Sequence, residues 1–470
     1  MIVSLLLVSC ALLSPDSPGQ QPAKTLPDAP RTLDAGMLFA QANRQGGSER
    51  AGDATQSKPD PQPAIAPKLT LPEAEKIAVA NNPDISIARL LRLASAQVVR
   101  ETRAGEMPSS EANLTAVGAR DNSRLTAGEL NNPIVYNRAA AGLTVRQLIT
   151  DFGRTRNLVK NAQLQARAEV ENECATVEEI SLAVDQAFYQ ALTAQQILKV
   201  AQQTVQARQI TGQQIGLLTQ QKLRSTLDLS LAEVQISQAQ LLVLDAQNSA
   251  QSAMAQLNAL LGSASFTDYV LVDETPESPQ PAPAKIEALV QTALRSRPDL
   301  ASLNDQALGA KRFAASERDL VRPTISALAS AGGTPVRADQ IQSSWYGAAG
   351  ANISIPVFDL GYSARAKEAL VRAQAANERV RNLEDTIARD VRQAVLNAQT
   401  AFQRISVTKQ LLDQAKTALE LAQARYQVGL SGIADLTEAQ LAQTQAEIGY
   451  TNARYSYQTA LANLRFETGQ

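Results

Sequence analysis

The chain carries one ordered set of landmarks twice. "NNPDI", Asn81 to Ile85, answers to "SRPDL", Ser296 to Leu300, with Pro83 and Pro298 standing 215 residues apart. "EMPSS" answers to "VRPTI", with Pro108 and Pro323 again 215 apart, and "TDFG" answers to "FDLG", with Gly153 and Gly361 208 apart. "LRSTLDLSLAEV" answers to "LSGIADLTEAQL", Asp228 and Asp435 being 207 apart. Landmarks that keep both order and spacing over such distances mark one structural unit used twice. The step from 215 to 208 puts a loop 7 residues shorter in the second copy. The units are bounded as 69–272 and 286–470, with the proline-rich "DETPESPQPAPAK" (273–285) as the linker between them.

Each unit changes its hydrophobic period part-way along. After Pro323, "TISALASAGG" and "SWYGAAGANISIPVF" alternate: Trp345, Gly347, Ala349, Ala351, Ile353 and Ile355 fall on one side, with Tyr346, Ala348, Gly350, Asn352 and Ser354 opposite. That is the period of a strand with one apolar face and one small or polar face. A looser version follows Pro108, so hairpins are expected at about 109–150 and 323–358. Strands of roughly ten residues are long enough to cross a bilayer when tilted, although a soluble hairpin packed on helices has the same pattern. Beyond the "DFG" and "FDLG" joints, residues 154–211 and 362–428 contain neither proline nor glycine. In the second of these runs Val380, Leu383, Ile387, Val391, Val395 and Ala398 step by three and four. The pattern predicts long helices over 151–220 and 359–427 with a coiled-coil seam, each roughly 100 Å long. The chain then reverses through "QQKLRSTLDL" and "QVGLSGIADL" into return helices over 228–262 and 435–467, about half as long as the rods. Because Lys222 stands where the second unit has Gly429, the first reversal is expected to be the less sharply defined.

Composition removes most classes of chemistry. There is no histidine, and Cys10 and Cys174 are the only cysteines, so imidazole ligands, histidine-assisted nucleophiles and cysteine-cluster zinc sites are excluded. Adjacent acids such as Glu178 with Glu179, or Glu384 with Asp385, fall inside the predicted rods with no pocket signalled around them. No catalytic residue, metal site or cofactor is expected, and the protein is expected not to be an enzyme. A net charge of -2 gives no electrostatic reason to bind nucleic acid. No apolar run reaches the length of about 18 residues that a membrane helix needs. The apolar start, "MIVSLLLVSCALLS" (1–14), reads as an export signal lacking Lys and Arg, and its "LVSC" fits the pattern at which bacterial lipoproteins are cleaved and acylated. Lipidation, as by palmitate, is therefore expected at Cys10. Residues 15–68, rich in Pro, Gln, Asp, Gly and Ser, read as a disordered spacer. Cys174 is expected to be a small packing residue of the first rod, and Tyr450, Tyr455 and Tyr457 to serve packing.

Two units of this kind resemble the TolC family of outer-membrane efflux proteins, the outer membrane factors, over essentially all of 69–470. The resemblance is carried by "LTLPEAEKIAVANNPDI" at the start, "IPVFDLGYSARAKEA" at the strand-to-helix joint, and "ARYQVGLSGIADLTEAQLAQTQAEIGYTNARYSYQTALANL" through the second reversal and last helix. It implies a mainly α fold with membrane β: a trimeric 12-stranded β-barrel, four strands per chain, continued by a long α-helical coiled-coil barrel with an internal two-fold repeat. Elementary physics restricts the oligomer in the same direction. Two hairpins supply four strands, a membrane barrel needs about eight or more, and open strand edges in lipid are costly. The implied protein is the outer-membrane channel of a tripartite efflux or type I secretion system. It would lie in the bacterial outer membrane, extend into the periplasm, and passively conduct what an inner-membrane pump and its periplasmic adaptor deliver. A soluble periplasmic coiled-coil adaptor or scaffold is the alternative.

The resemblance also implies roles for residues. Asp151, Gly153, Pro356, Asp359 and Gly361 form the strand-to-helix joints. Lys222, Leu223, Arg224 and Ser225, with Gly429, Leu430, Ser431 and Gly432, are the tips that meet the adaptor. Asp435 and Glu438, three apart on one helix face, become stacked acidic rings at the periplasmic aperture of a homotrimer. Some relatives brace this tip with a basic residue where Ser431 stands here. Tyr136, Trp345 and Tyr346 are expected near the lipid interface of the outer membrane.

Overall fold

Proline and glycine punctuate the chain where its helices begin and end. A computed structural model describes residues 67–118, 138–263, 265–276, 279–281, 285–337 and 345–469; Cys10 and Tyr136 lie outside them. Each unit runs through the same series. The first comprises α1 (Leu71–Asn81), α2 (Pro83–Ala104), β2 (Ser109–Val117), β3 (Arg138–Thr150), α3 (Arg154–Gln220) and α4 (Thr226–Leu260). The second comprises α5 (Ile286–Ser296), α6 (Pro298–Arg318), a 3-10 turn (Asp319–Val321), β5 (Thr324–Arg337), β6 (Trp345–Ser354), α7 (Leu360–Gln427) and α8 (Ile433–Thr468). Short parallel strands β1 (Lys68–Leu69) and β4 (Val270–Leu271) pair with each other. Pro83 and Pro298 are the first residues of α2 and α6, where a missing N–H costs nothing.

The rods α3 and α7 have 67 and 68 residues, and their return helices α4 and α8 have 35 and 36. Packing fills the difference. Alongside α3, the helix α2 occupies the half nearer the strands and α4 the far half. Between α3 and α7, the places belong to α6 and α8 in the same way. The layer of helices therefore has the same two edges along its whole length, α2 and α4 on one side and α7 on the other.

Small residues let the rods approach closely. Ala232, Ala239, Ala246 and Ala253 of α4 recur every seventh position and are all buried, the heptad seam of a coiled coil. Where the short helices join, larger side chains make the core: Val184, Phe188 and Leu192 of α3 pack with Leu257, Leu261, Leu69 and Tyr455. In the second unit Ile387 and Val391 of α7 pack with Val290 and Leu300. Val184 and Val391 stand 207 residues apart, so the duplication extends to the core. Tyr455 donates to Oδ2 of Asp273 at 2.6 Å, and Tyr457 donates to the carbonyl of Gln280; together these fasten the linker to α8.

The four long strands form one antiparallel sheet in the order β2-β3-β5-β6. Every residue of β6 and the first eight of β2 are exposed, so neither edge strand is covered. Cys174, expected to pack within the first rod, instead lies on an exposed face of α3.

Candidate functional site: a two-faced ribbon and a latched helical tip

The register of the sheet sorts its side chains. Ala112, Leu143, Ala331 and Gly347 lie in one row, with Leu114, Ala141, Gly333 and Trp345 in the next row on that face. The opposite face carries Glu111, Thr144, Ser330 and Ala348 in one row and Asn113, Gly142, Gly332 and Tyr346 in the next. One face is thus apolar and the other polar or small, the division a strand needs when it separates lipid from water. Trp345 and Tyr346, expected together at a lipid interface, point to opposite sides. Tyr346 lies across Gly142 and Gly332 on the polar face. A Cβ on Gly142 would collide with its phenol oxygen, and one on Gly332 would collide with the backbone carbonyl of Ala141 as well as the end of the ring, so glycine at both positions lets the ring lie here.

At the first joint the backbone turns through positive φ at Phe152 (56°) and Gly153 (105°). The buried Asp151 carboxylate accepts from the N–H of Gly153 at 3.1 Å and of Thr155 at 2.6 Å, closing the start of α3. The second unit braces this joint. Arg322 donates to the Phe152 carbonyl at 2.7 Å and pairs with Asp319 at 3.3 Å, and Asp319 accepts from Asn157 at 3.0 Å. At the second joint Asp359 accepts from the Gly361 N–H at 2.7 Å and pairs with Arg365 at 3.4 Å. Val357 and Phe358 beside it are 92% and 84% exposed.

The two reversals are alike despite their different residues. Lys222 adopts φ 59°, close to the 78° of Gly429. Leu223 N–H bonds the Leu218 carbonyl at 2.9 Å, as Leu430 N–H bonds that of Arg425 at 2.9 Å. The first reversal is therefore as sharply defined as the second, contrary to expectation, because these helix-ending bonds hold Lys222 in a left-handed conformation that lysine rarely adopts. Ser225 caps α4 by accepting from Leu227 N–H at 3.1 Å. Leu223 and Leu430, equivalent in the two units, stand exposed at the apices.

Arg224 turns inward instead of outward. Its guanidinium stacks 4.2 Å from the centre of the Tyr426 ring and donates to the Tyr426 carbonyl at the C-terminus of α7. A cation is favoured there by both the ring and the helix end. Tyr426 is buried against Ile215, Ala232, Ile433 and Leu436, and its phenol is pushed up by that burial and next by the Asp228 carboxylate. Arg224 and Tyr426 thus latch the first hairpin to the second. Composition gave no signal for this pairing, since the partners are 202 residues apart. Asp435 and Glu438 are both exposed, in the first turns of α8, and Ser431 Oγ is buried with no hydrogen-bond partner among the described residues. Among the described residues no group of Cys, Asp and Glu is arranged to hold a metal ion, and no helix is long and apolar enough to cross a membrane.

The family model described as outer membrane efflux protein matches residues 76–263 and 289–470, one segment in each unit. The chain belongs to the outer membrane efflux protein family. It is similar to the outer membrane protein TolC of Salmonella enteritidis, with 22% identity over 428 residues covering 85% of this chain and 83% of TolC. It is also similar to the alkaline protease secretion protein AprF of Pseudomonas aeruginosa, with 24% identity over 361 residues, 73% of this chain and 72% of AprF. The solved open state of the Neisseria gonorrhoeae MtrE outer membrane channel shares the fold at a TM-score of 0.72 and 21% identity, covering 85% of this chain and 88% of that one. As an outer membrane efflux protein, the chain is an outer-membrane channel for efflux or secretion that extends into the periplasm, and it is not an enzyme. The soluble adaptor considered from the sequence finds no support among these relatives.

Proposed function

We propose that three copies of this chain close edge to edge into one duct, twelve strands in the outer membrane continued by a ring of helices, through which substrates pass passively from a pump and its adaptor. The observation that carries this reading is the pair of matching edges. One side of the chain presents β2, α2 and α4, and the other presents β6 and α7. A head-to-tail contact between unlike edges closes into a ring when the rotation permits, and four strands cannot close alone. The apolar sheet face with Trp345 would meet lipid, and the polar face with Tyr346 would line the water-filled lumen. Exposed side chains fit the docking edge of such a ring: Leu227, Val234, Leu241 and Leu244 of α4, and Leu396, Val407, Leu411 and Leu421 of α7 are all about half exposed or more.

At the far end, the exposed Leu223 and Leu430, with Lys222, Ser225, Gly429 and Gly432, would meet the adaptor, and Asp435 with Glu438 would ring the aperture. Cys10 would anchor the chain by acylation, and Tyr136 would sit at the lipid interface. Two measurements test the reading. In mild detergent the particle should have the mass of three chains, and in planar bilayers it should conduct. Replacing Asp435 and Glu438 by Asn and Gln should raise conductance or weaken cation preference. A stable monomer without current would overturn the channel, and unchanged currents in the double variant would remove only the aperture assignment.

A further inference from the structure

Arg208 lies in α3 about three turns before the tip. It is 6% exposed. Its guanidinium donates to Oε1 of Gln440 in α8, and Nε2 of Gln440 donates in turn to Thr211 Oγ1 at 3.5 Å. One amide oxygen takes far fewer protons than a guanidinium offers. No carboxylate compensates the charge. Between Asp185 and Asp228 the chain contains no acid, and the acids of neighbouring helices near this level, Glu233, Glu420, Asp435 and Glu438, are exposed to solvent. Burial, with no opposing carboxylate, pulls the basicity of Arg208 down to about 10, which leaves it charged at neutral pH. A buried charge without a counter-charge is costly and is ordinarily paired.

Beside the guanidinium a cavity of about 340 Å³ opens between α3, α7 and α8, and none of the residues lining it is acidic. Three threonines on its wall, Thr204, Thr211 and Thr444, give their hydroxyl protons to backbone carbonyls one turn back in their own helices. The donors left for a guest are therefore the guanidinium itself, the buried and unpartnered Tyr426 hydroxyl, and the side-chain amides of Gln214, Gln423, Gln427 and Gln443, which hydrogen-bond no other described residue.

We propose that this cavity binds a small oxyanion of the phosphate or sulfate class, held by Arg208 and the glutamine amides and tying α3 of the first unit to α7 and α8 of the second. A planar fork with amides beside it suits a tetrahedral oxyanion better than a halide, because two parallel N–H groups reach two oxygens. The site is complete within one chain and does not depend on the ring.

Full-length protein in detergent is titrated with inorganic phosphate, and separately with sulfate, at ionic strength held constant with potassium chloride. Heat of binding and apparent unfolding midpoint are both read. A saturable rise in midpoint is expected, because a ligand of the folded state stabilises it by mass action. Arg208→Gln should weaken phosphate binding by about tenfold or more, the worth of a charged hydrogen bond. Gln423→Leu, at an exposed rim position that the fold does not need, should weaken it by about fivefold; this variant keeps the test decisive should Arg208→Gln fail to fold. Crystals soaked in selenate should give an anomalous selenium peak within hydrogen-bond reach of Arg208. Phosphate indistinguishable from chloride, undiminished affinity in the folded variants, or selenium only at other positions would each overturn the site.

Discussion

Asp185 of α3 is buried at the junction with α1 and α8. Burial lifts its carboxyl to about 7, the neighbouring Glu75 adds to the rise, and Arg465, 3.3 Å away, opposes it. In the unfolded chain an aspartate titrates at about 3.9. Between those values the folded state holds the extra proton, so this residue's contribution to stability is full below about pH 4 and is lost as pH rises through about 7. Asp185→Asn, which mimics the protonated form, should raise the apparent thermal midpoint most at pH 8, less at pH 5 and little at pH 4; scans at the three pH values check this. Residues of this kind were least legible in the sequence. The alternation around Tyr346 placed it opposite Trp345, yet nothing local foretold that its ring would lie over Gly142 and Gly332, since that depends on cross-strand register. Arg224 read as an exposed tip residue because its partner is set by how two hairpins meet.

At the scale of elements the sequence was far more informative, because long runs without proline or glycine admit little besides helix and the duplicated spacing fixes where each run stops. The reversal at Lys222 is the instructive exception. Glycine's absence suggested a looser turn, but the same end-of-helix bonds form, with the strain carried by the lysine backbone. Lys222→Gly should therefore stabilise the fold by about 0.5–1 kcal/mol, while Gly429→Lys should destabilise it by about 1–2 kcal/mol. Apparent thermal midpoints moving in opposite directions would bear this out. The joints differ in a second way. Arg322 and Asp319 brace the first from within the chain, whereas the residues in the first unit that correspond to them, Met107 and Ala104, are neutral, and Met107 is exposed. In the proposed ring, with β2 and α2 of one copy against β6 and α7 of the next, Met107 would come near Val357 and Phe358 of the neighbouring copy. Phe358→Ser should then lower the trimer fraction in detergent at limiting protein concentration, read by analytical ultracentrifugation, while leaving the helix content of the chain unchanged.

For the whole molecule, duplication within a chain and repetition between chains produce two kinds of seam that alternate around the proposed ring. The proposed ring follows from the repeat and from the arithmetic of barrel closure, while the difference between its seams depends on which side chains meet within one chain. Within a chain, Arg224 grips Tyr426. Between chains, the equivalent positions hold Ser431 and Thr219, which have neither the charge nor the ring to do the same. Six hairpin ends would accordingly not part as six equal petals. They would part as three rigid pairs, and the aperture would widen like an iris of three double blades, each hinged where one subunit abuts the next.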